Sequence, residues 1–204
     1  MPQAQHERSH AIHPSAVMMV LVLAGITTLF GALSLAYLYS RVDKGMNSIP
    51  VPWLFIFNTF ILASTSICIE RCRTYFTQRN EAQTIRWGFL TIIATFLFLL
   101  LQGIAWYQLL TQHLKPGTSG SHGFLYAISI LHFLHVMAGI PFLLRILIPI
   151  ASAYHQGNAS LLFIDDHIKR RLRHTTWYWH FIDVVWIYLM VFFLVNSLFS
   201  PLAS

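Results

Sequence analysis

Apolar residues dominate five long stretches of the chain, at roughly 15–39, 51–70, 87–112, 122–149 and 176–200. A helix needs about 20 mostly apolar residues to cross a hydrocarbon core, and each stretch meets that length. The pattern predicts an all-α polytopic membrane protein: a bundle of five transmembrane helices forming a single membrane domain over 1–204. These stretches use most of the chain, so no soluble domain fits beside them. The connections are short, apart from about 25 residues before the fifth stretch. The residues before Pro14 are polar. The first apolar run is too long for a signal-peptide core and lacks a small-residue cleavage site, so a cleaved signal is not expected.

Polar residues inside these stretches set the candidate chemistry. The first carries Gly25, Thr27, Thr28, Gly31, Ala32 and Ser34, small groups that let helices approach closely. Tyr37, Tyr39 and Arg41 mark its far interface. The second opens at Pro50 and Pro52, which suit a helix start. Trp53 sits where an interfacial aromatic belongs, and Asn58 and Thr59 lie inside, followed by Ser64, Thr65 and Ser66. An asparagine in hydrocarbon hydrogen-bonds across helices or serves a ligand; the former contributes about 0.6–2 kcal/mol. The third stretch has Gln102 before Trp106 and Tyr107. The fourth has His132 and His135, which share a helix face, and Gly139 and Pro141 that would loosen it. From a start near Ser121, His135 lies roughly 20 Å along the axis.

The fifth stretch carries the sharpest signal, WYWHFIDVVW, Trp177 to Trp186. His180 and Asp183 stand three apart in an otherwise apolar run. An isolated charge at the bilayer centre costs about 3 kcal/mol on insertion scales, so both need partners. His132, His135, Asn58 and Gln102 are the candidates, with His135, His180 and Asp183 expected at one depth. Three roles remain open: a buried polar network that fixes helix docking, bis-histidine haem ligation through His135 and His180, and a proton or transport site. Asp183 is the one carboxylate well inside a stretch. Glu70 sits at a stretch end, and a single acid makes no transmembrane wire.

Composition agrees: 56% of residues are hydrophobic and 10% charged, against about 25% charged in globular domains. The formal charge of +6 is a topology signal rather than a nucleic-acid signal. Arg8, Arg71, Arg73, Arg79, Arg86, Arg145, Lys169, Arg170, Arg171 and Arg173 share one side; Arg41, Lys44 and Lys115 share the other. The positive-inside rule then puts the N-terminus in the cytoplasm and the C-terminus outside. Lys169 to Arg173 would snorkel to headgroups, and Asp165 and Asp166 suit a helix start. Cys68 and Cys72 are one turn apart and read as free thiols, because a structural metal site needs four ligands.

Taken in order, these motifs resemble subunit III of the haem–copper oxidases. WYWHFIDVVW is similar to that family's last-helix signature. PWLFIFNTFILASTS, LLLQGIAWY and FLYAISILHFLHVMAGIPFLL resemble its preceding helices. Five stretches rather than seven is the pattern of the shorter bacterial members. The resemblance implies a non-catalytic core subunit of a terminal oxidase in the bacterial cytoplasmic membrane. Subunit I, packed directly on this chain, would carry the haems and copper. Subunit II and a small subunit IV would complete the complex. This chain would hold no cofactor or metal beyond bound phospholipid.

Carried over by position, the structural polar residues are Asn58, Thr59, Gln102, His132, His135, His180 and Asp183, with Trp179 and Trp186 in helix packing. Arg41, Trp53 and Arg86 are candidate lipid neighbours. The chain departs from the family where an acid is usual: LAGITTLF has none, Ala105 replaces one, and Arg173 replaces a glutamate before WYWH. Ser129 and Ile130 stand where the family has Thr-Gly. Other readings are the subunit-III-like accessory protein of nitric oxide reductases, a haem-binding membrane cytochrome, and a small transporter.

Overall fold

The computed structural model describes residues 14–44, 51–112, 114, 116, 120–157 and 163–198. Arg8, Pro50, Lys115 and positions 199–200 of the fifth expected stretch lie outside them. Five helices follow in order: α1 (Pro14–Lys44), α2 (Trp53–Thr77), α3 (Glu81–Thr111), α4 (Gly120–His155) and α5 (Asp166–Leu198). Among the described residues there is no strand. All five are long and apolar enough to cross a membrane. They are apolar on nearly every side, as a helix must be when one face meets protein and the other lipid.

Alternate helices run in opposite directions, and α2, α3, α4 and α5 close a ring in which each packs on two neighbours. α1 leans into the groove between α4 and α5. The tightest junction is the α2–α3 hairpin. Asn80 caps α3, its side-chain oxygen accepting from the Gln83 amide at 3.1 Å. Such a cap satisfies one of the donors left free at a helix start. Arg79 takes a φ of 57° to make the reversal. Lower down, Cys72 Sγ donates to the Thr84 carbonyl at 3.4 Å. Small side chains along α3, Thr84, Thr91 and Thr95, are buried, and Gly88 lets Leu147 of α4 approach.

α1 is pinned at both ends instead. Ser15 Oγ lies 3.4 Å from His174 Nε2 at one end. At the other, Arg41 Nη1 donates to both the backbone carbonyl and the side-chain oxygen of Asn196, each at 2.8 Å. Between these points Ile26, Phe30, Ser34 and Tyr37 are buried while most other α1 positions are exposed.

α4 stays helical through Pro141, where the sequence suggested loosening, and through Pro149 as well. Each proline removes one backbone donor, yet the helix continues to His155. Gly139 matters there for a different reason. A Cβ at that position would lie 2.9 Å from Trp179 Cζ3 and 3.2 Å from Tyr178 Cε1. We expect Gly139→Ala to push α4 off α5 and to cost about 1–3 kcal/mol, the usual range for overpacking. Thermal unfolding of the purified chain measures it. An unchanged melting curve would mean that the two rings yield freely.

The interior is mainly apolar, with Phe30, Phe55, Phe98 and Trp186 among its largest members, but it also encloses Asn58, Thr65, Thr91, Thr95, Gln102, His132 and Asp183, while Phe60, Leu100, Ile93 and Val191 face outward. Hydrocarbon gives apolar residues little reason to hide, so it is the polar ones whose burial is informative.

Candidate functional site

The polar residues buried between α2 and its neighbours α3 and α5 form two levels. α2 and α5 run antiparallel, so rising numbers on α2 meet falling numbers on α5. Thr59 and Ser66 are seven residues apart, two turns on one face. That face meets Trp186 and then Asp183 and His180.

At the upper level, Trp186 Nε1 donates to Thr59 Oγ1 at 3.1 Å. Trp186 is fully buried, with its ring centroid 5.3 Å from Phe98, 5.7 Å from Phe55 and 4.8 Å from His132. Next to it, Asn58 Nδ2 donates to Gln102 Oε1 at 3.0 Å and to the Phe98 carbonyl at 3.2 Å. This ties α2 to α3 across the ring. His132 is enclosed by Phe30, Phe98 and Trp186, with centroids at 6.3, 6.0 and 4.8 Å. Asn58 Oδ1, Gln102 Nε2 and both ring nitrogens of His132 are buried without a protein hydrogen-bond partner. Buried polar atoms of this kind ask for partners, and their donor and acceptor characters are complementary.

Two turns towards the end that carries Arg71, Arg73 and Lys169 (the basic end), the second level forms a chain. Ser66 Oγ donates to Asp183 Oδ2. The same hydroxyl lies 3.0 Å from His180 Nδ1. His180 Nε2 lies 3.4 Å from Glu70 Oε2. Glu70 in turn accepts from Arg73 Nη2 at 2.7 Å through its other oxygen. Asp183 is 5% exposed, and its Oδ1 has no protein partner. It borders a cavity of about 10 Å³ lined by Leu62, Val136, Gly139, Tyr178, Trp179 and Ile182. Such a volume has room for about one water molecule. His180 and Glu70 instead line a cleft of about 560 Å³ with Ser66, Arg71, Thr74, Tyr75 and Gln78.

The arrangement differs from the sequence expectation in three ways. His180 and Asp183 meet through Ser66 of α2, not through His132 or His135 of α4. His135 turns Nδ1 onto its own Leu131 carbonyl at 2.7 Å, and its backbone carbonyl accepts from Tyr178 Oη at 2.8 Å. A helix carbonyl one turn back lies within reach of an imidazole Nδ1, and His135 uses it where His132 does not. Glu70, placed at a stretch end, reaches the buried pair because it lies one turn beyond Ser66 on the same face. That i, i+4 spacing was the signal available in the sequence.

Trp179 packs against Gly139 and is 4% exposed. Of the three candidate lipid neighbours, Trp53 and Arg86 are exposed, whereas Arg41 is engaged by Asn196. Cys68 and Cys72 are both free. Among the described residues no three histidine, cysteine or acidic side chains cluster as metal ligands would.

Comparison with known proteins places these contacts. A family model described as cytochrome c oxidase subunit III matches residues 17–197. Cytochrome c oxidase subunit 3 of Struthio camelus is 30% identical over 144 residues, covering 71% of this chain and 49% of that protein. The Oncorhynchus mykiss protein of the same name is 31% identical over 136 residues, 67% and 48% respectively. That of Spodoptera frugiperda is 29% identical over 145 residues, 71% and 88%. The chain thus spans about half the length of the first two. The matched region takes in all five helices, the upper level of amides and rings, and the Ser66–Asp183 junction. On that match this multi-pass membrane chain belongs to the cytochrome c oxidase subunit III family.

Proposed function

We propose that this chain is subunit III of a bacterial haem–copper terminal oxidase, a non-catalytic core subunit of a complex that reduces oxygen to water. In this reading the haems and copper belong to partner subunits. Subunit I packs directly on this chain, and subunit II and a small subunit IV complete the assembly. The chain crosses the cytoplasmic membrane with its N-terminus inside, which the excess of cations on that side supports. Phospholipid headgroups meet Trp53, Arg86 and Arg41.

One observation carries the non-catalytic role. Most of the intramembrane polar side chains in the two levels are taken up in helix-to-helix contacts: Asn58 with Gln102, Thr59 with Trp186, and Ser66 with Asp183 and His180. Networks of this kind specify one packing of a bundle. They present a fixed outer face to a neighbouring subunit.

The test is association. Affinity purification of the tagged chain from its native membrane should bring down a haem- and copper-containing, oxygen-reducing partner. Asp183→Asn and His180→Ala should each loosen that complex in detergent without altering its haem spectrum. Recovery of a nitric oxide-reducing partner, or full retention of the complex in both variants, would overturn the reading.

A further inference from the structure

We propose that Asp183 is a proton-exchange site, loaded and unloaded from the basic-end cleft through His180 and Ser66. Five atoms in series carry the argument: Glu70 Oε2, the two ring nitrogens of His180, Ser66 Oγ and Asp183 Oδ2. The outer end is accessible. The side chains of Glu70 and His180 are each 41% exposed, and both line the cleft. That cleft follows α2 from Gln78 at the hairpin turn to Ser66. Twelve residues of helix make this about 18 Å. The inner end is closed: Asp183 is buried, with one oxygen on Ser66 and the other facing the small cavity beside Val136 and Gly139.

An imidazole is a natural link because its two nitrogens can gain and lose protons at opposite ends of the ring. A proton on Glu70 passes to His180 Nε2, breaking an O–H bond and forming an N–H bond. His180 then gives its Nδ1 proton to Ser66 Oγ, and the serine releases its own hydroxyl proton to Asp183 Oδ2. One proton has moved from the cleft to the buried carboxylate, and the ring has changed tautomer. The return runs the same bonds backwards and restores the first tautomer, so exchange needs no ring rotation. The 3.4 Å gap between Glu70 and His180 is long for a direct bond. A single water between the two groups would bridge such a gap.

The charged and titratable groups around this chain are few. Arg73 holds the outer oxygen of Glu70, and Arg71 lies over the Trp87 ring, 5.4 Å from its centroid. Tyr75 lines the cleft with Glu70 and His180, and Tyr178 lines the small cavity with Asp183 while donating to the His135 carbonyl of α4. None stands between His180 and Asp183. An ionisable carboxyl this deep in a bilayer is costly as an unpaired charge. A built route for its proton gives it two accessible states, which a purely structural acid does not need.

The experiment is hydrogen–deuterium exchange of the Asp183 carboxyl in native membranes without detergent, followed by infrared spectroscopy after isotope labelling of aspartate. Asp183→Asn identifies the band. Transfer into deuterated buffer should shift that band rapidly in the native chain. Ser66→Ala should slow the shift several-fold, and Ser66→Thr, which keeps the oxygen, should restore it. His180→Phe should slow it as well. A merely packed serine would not give a threonine-rescued rate. The proposal is overturned if the band is missing at every pH, if it never exchanges, or if Ser66→Ala exchanges as fast as the native chain.

Discussion

Trp186→Ala is expected to destabilise the chain by about 3 kcal/mol, the low end of the range for large aromatic truncations in cores. The ring is fully buried and touches three other rings from three helices: Phe55 on α2, Phe98 on α3 and His132 on α4. It therefore sits where the four-helix ring closes on itself. Two terms oppose each other in the estimate. In a water-soluble core much of the cost is transfer of apolar surface to water. Here the separated helices would still sit in hydrocarbon, so that term largely disappears. What remains is lost dispersion contact and the cavity left in a close-packed interior. The indole N–H adds one interhelical hydrogen bond to Thr59 at 3.1 Å, about 0.6 kcal/mol on average within membranes. Trp186→Phe should consequently recover most of the loss. Reversible unfolding in detergent micelles or bicelles would measure both variants. If phenylalanine cost as much as alanine, the hydrogen bond rather than packing would dominate, contrary to this account.

The number of helices was legible because spanning length is a property of a single segment. Each of the five apolar stretches corresponds to one helix. The helices extend past the stretches at their polar ends, where composition no longer distinguishes helix from loop. Arg71 to Thr77 continue α2, and Asp166 to Thr175 begin α5. The buried polar residues were legible for a related reason: in hydrocarbon a polar side chain has to face protein, so Asn58, Gln102, His132 and Asp183 declared themselves. Their neighbours were not legible. Helical periodicity tells which face a residue lies on but not which helix that face meets. Asp183 therefore read equally well against the α4 histidines and against α2. Ser66, one hydroxyl in a run of three with nothing in the sequence to single it out, decides between them. Arg41 read as an interfacial cation for the same reason; its bond to Asn196 depends on α1 and α5 ending level with each other.

Asn58 and Gln102 should behave as a coupled pair, and the direction of coupling is the informative part. Both are fully buried, and their amides join α2 to α3 at 3.0 Å. Asn58→Leu alone leaves Gln102 Oε1 without its donor in a setting with little to replace it. A buried polar group stranded in this way costs about 1–3 kcal/mol. Gln102→Met alone should cost a similar amount by stranding Asn58. The Phe98 carbonyl, which also accepts from Asn58 at 3.2 Å, lies within α3, so its loss adds less. With both amides replaced by apolar side chains of similar size, no stranded group remains. The double variant should then cost less than the sum of the singles by about 1 kcal/mol, within the range of coupling between contacting residues. Unfolding of the four members of this cycle under identical detergent conditions supplies the coupling term. Additive losses would mean that the two amides find other partners once separated, and that this level of the bundle contributes packing without polar specificity.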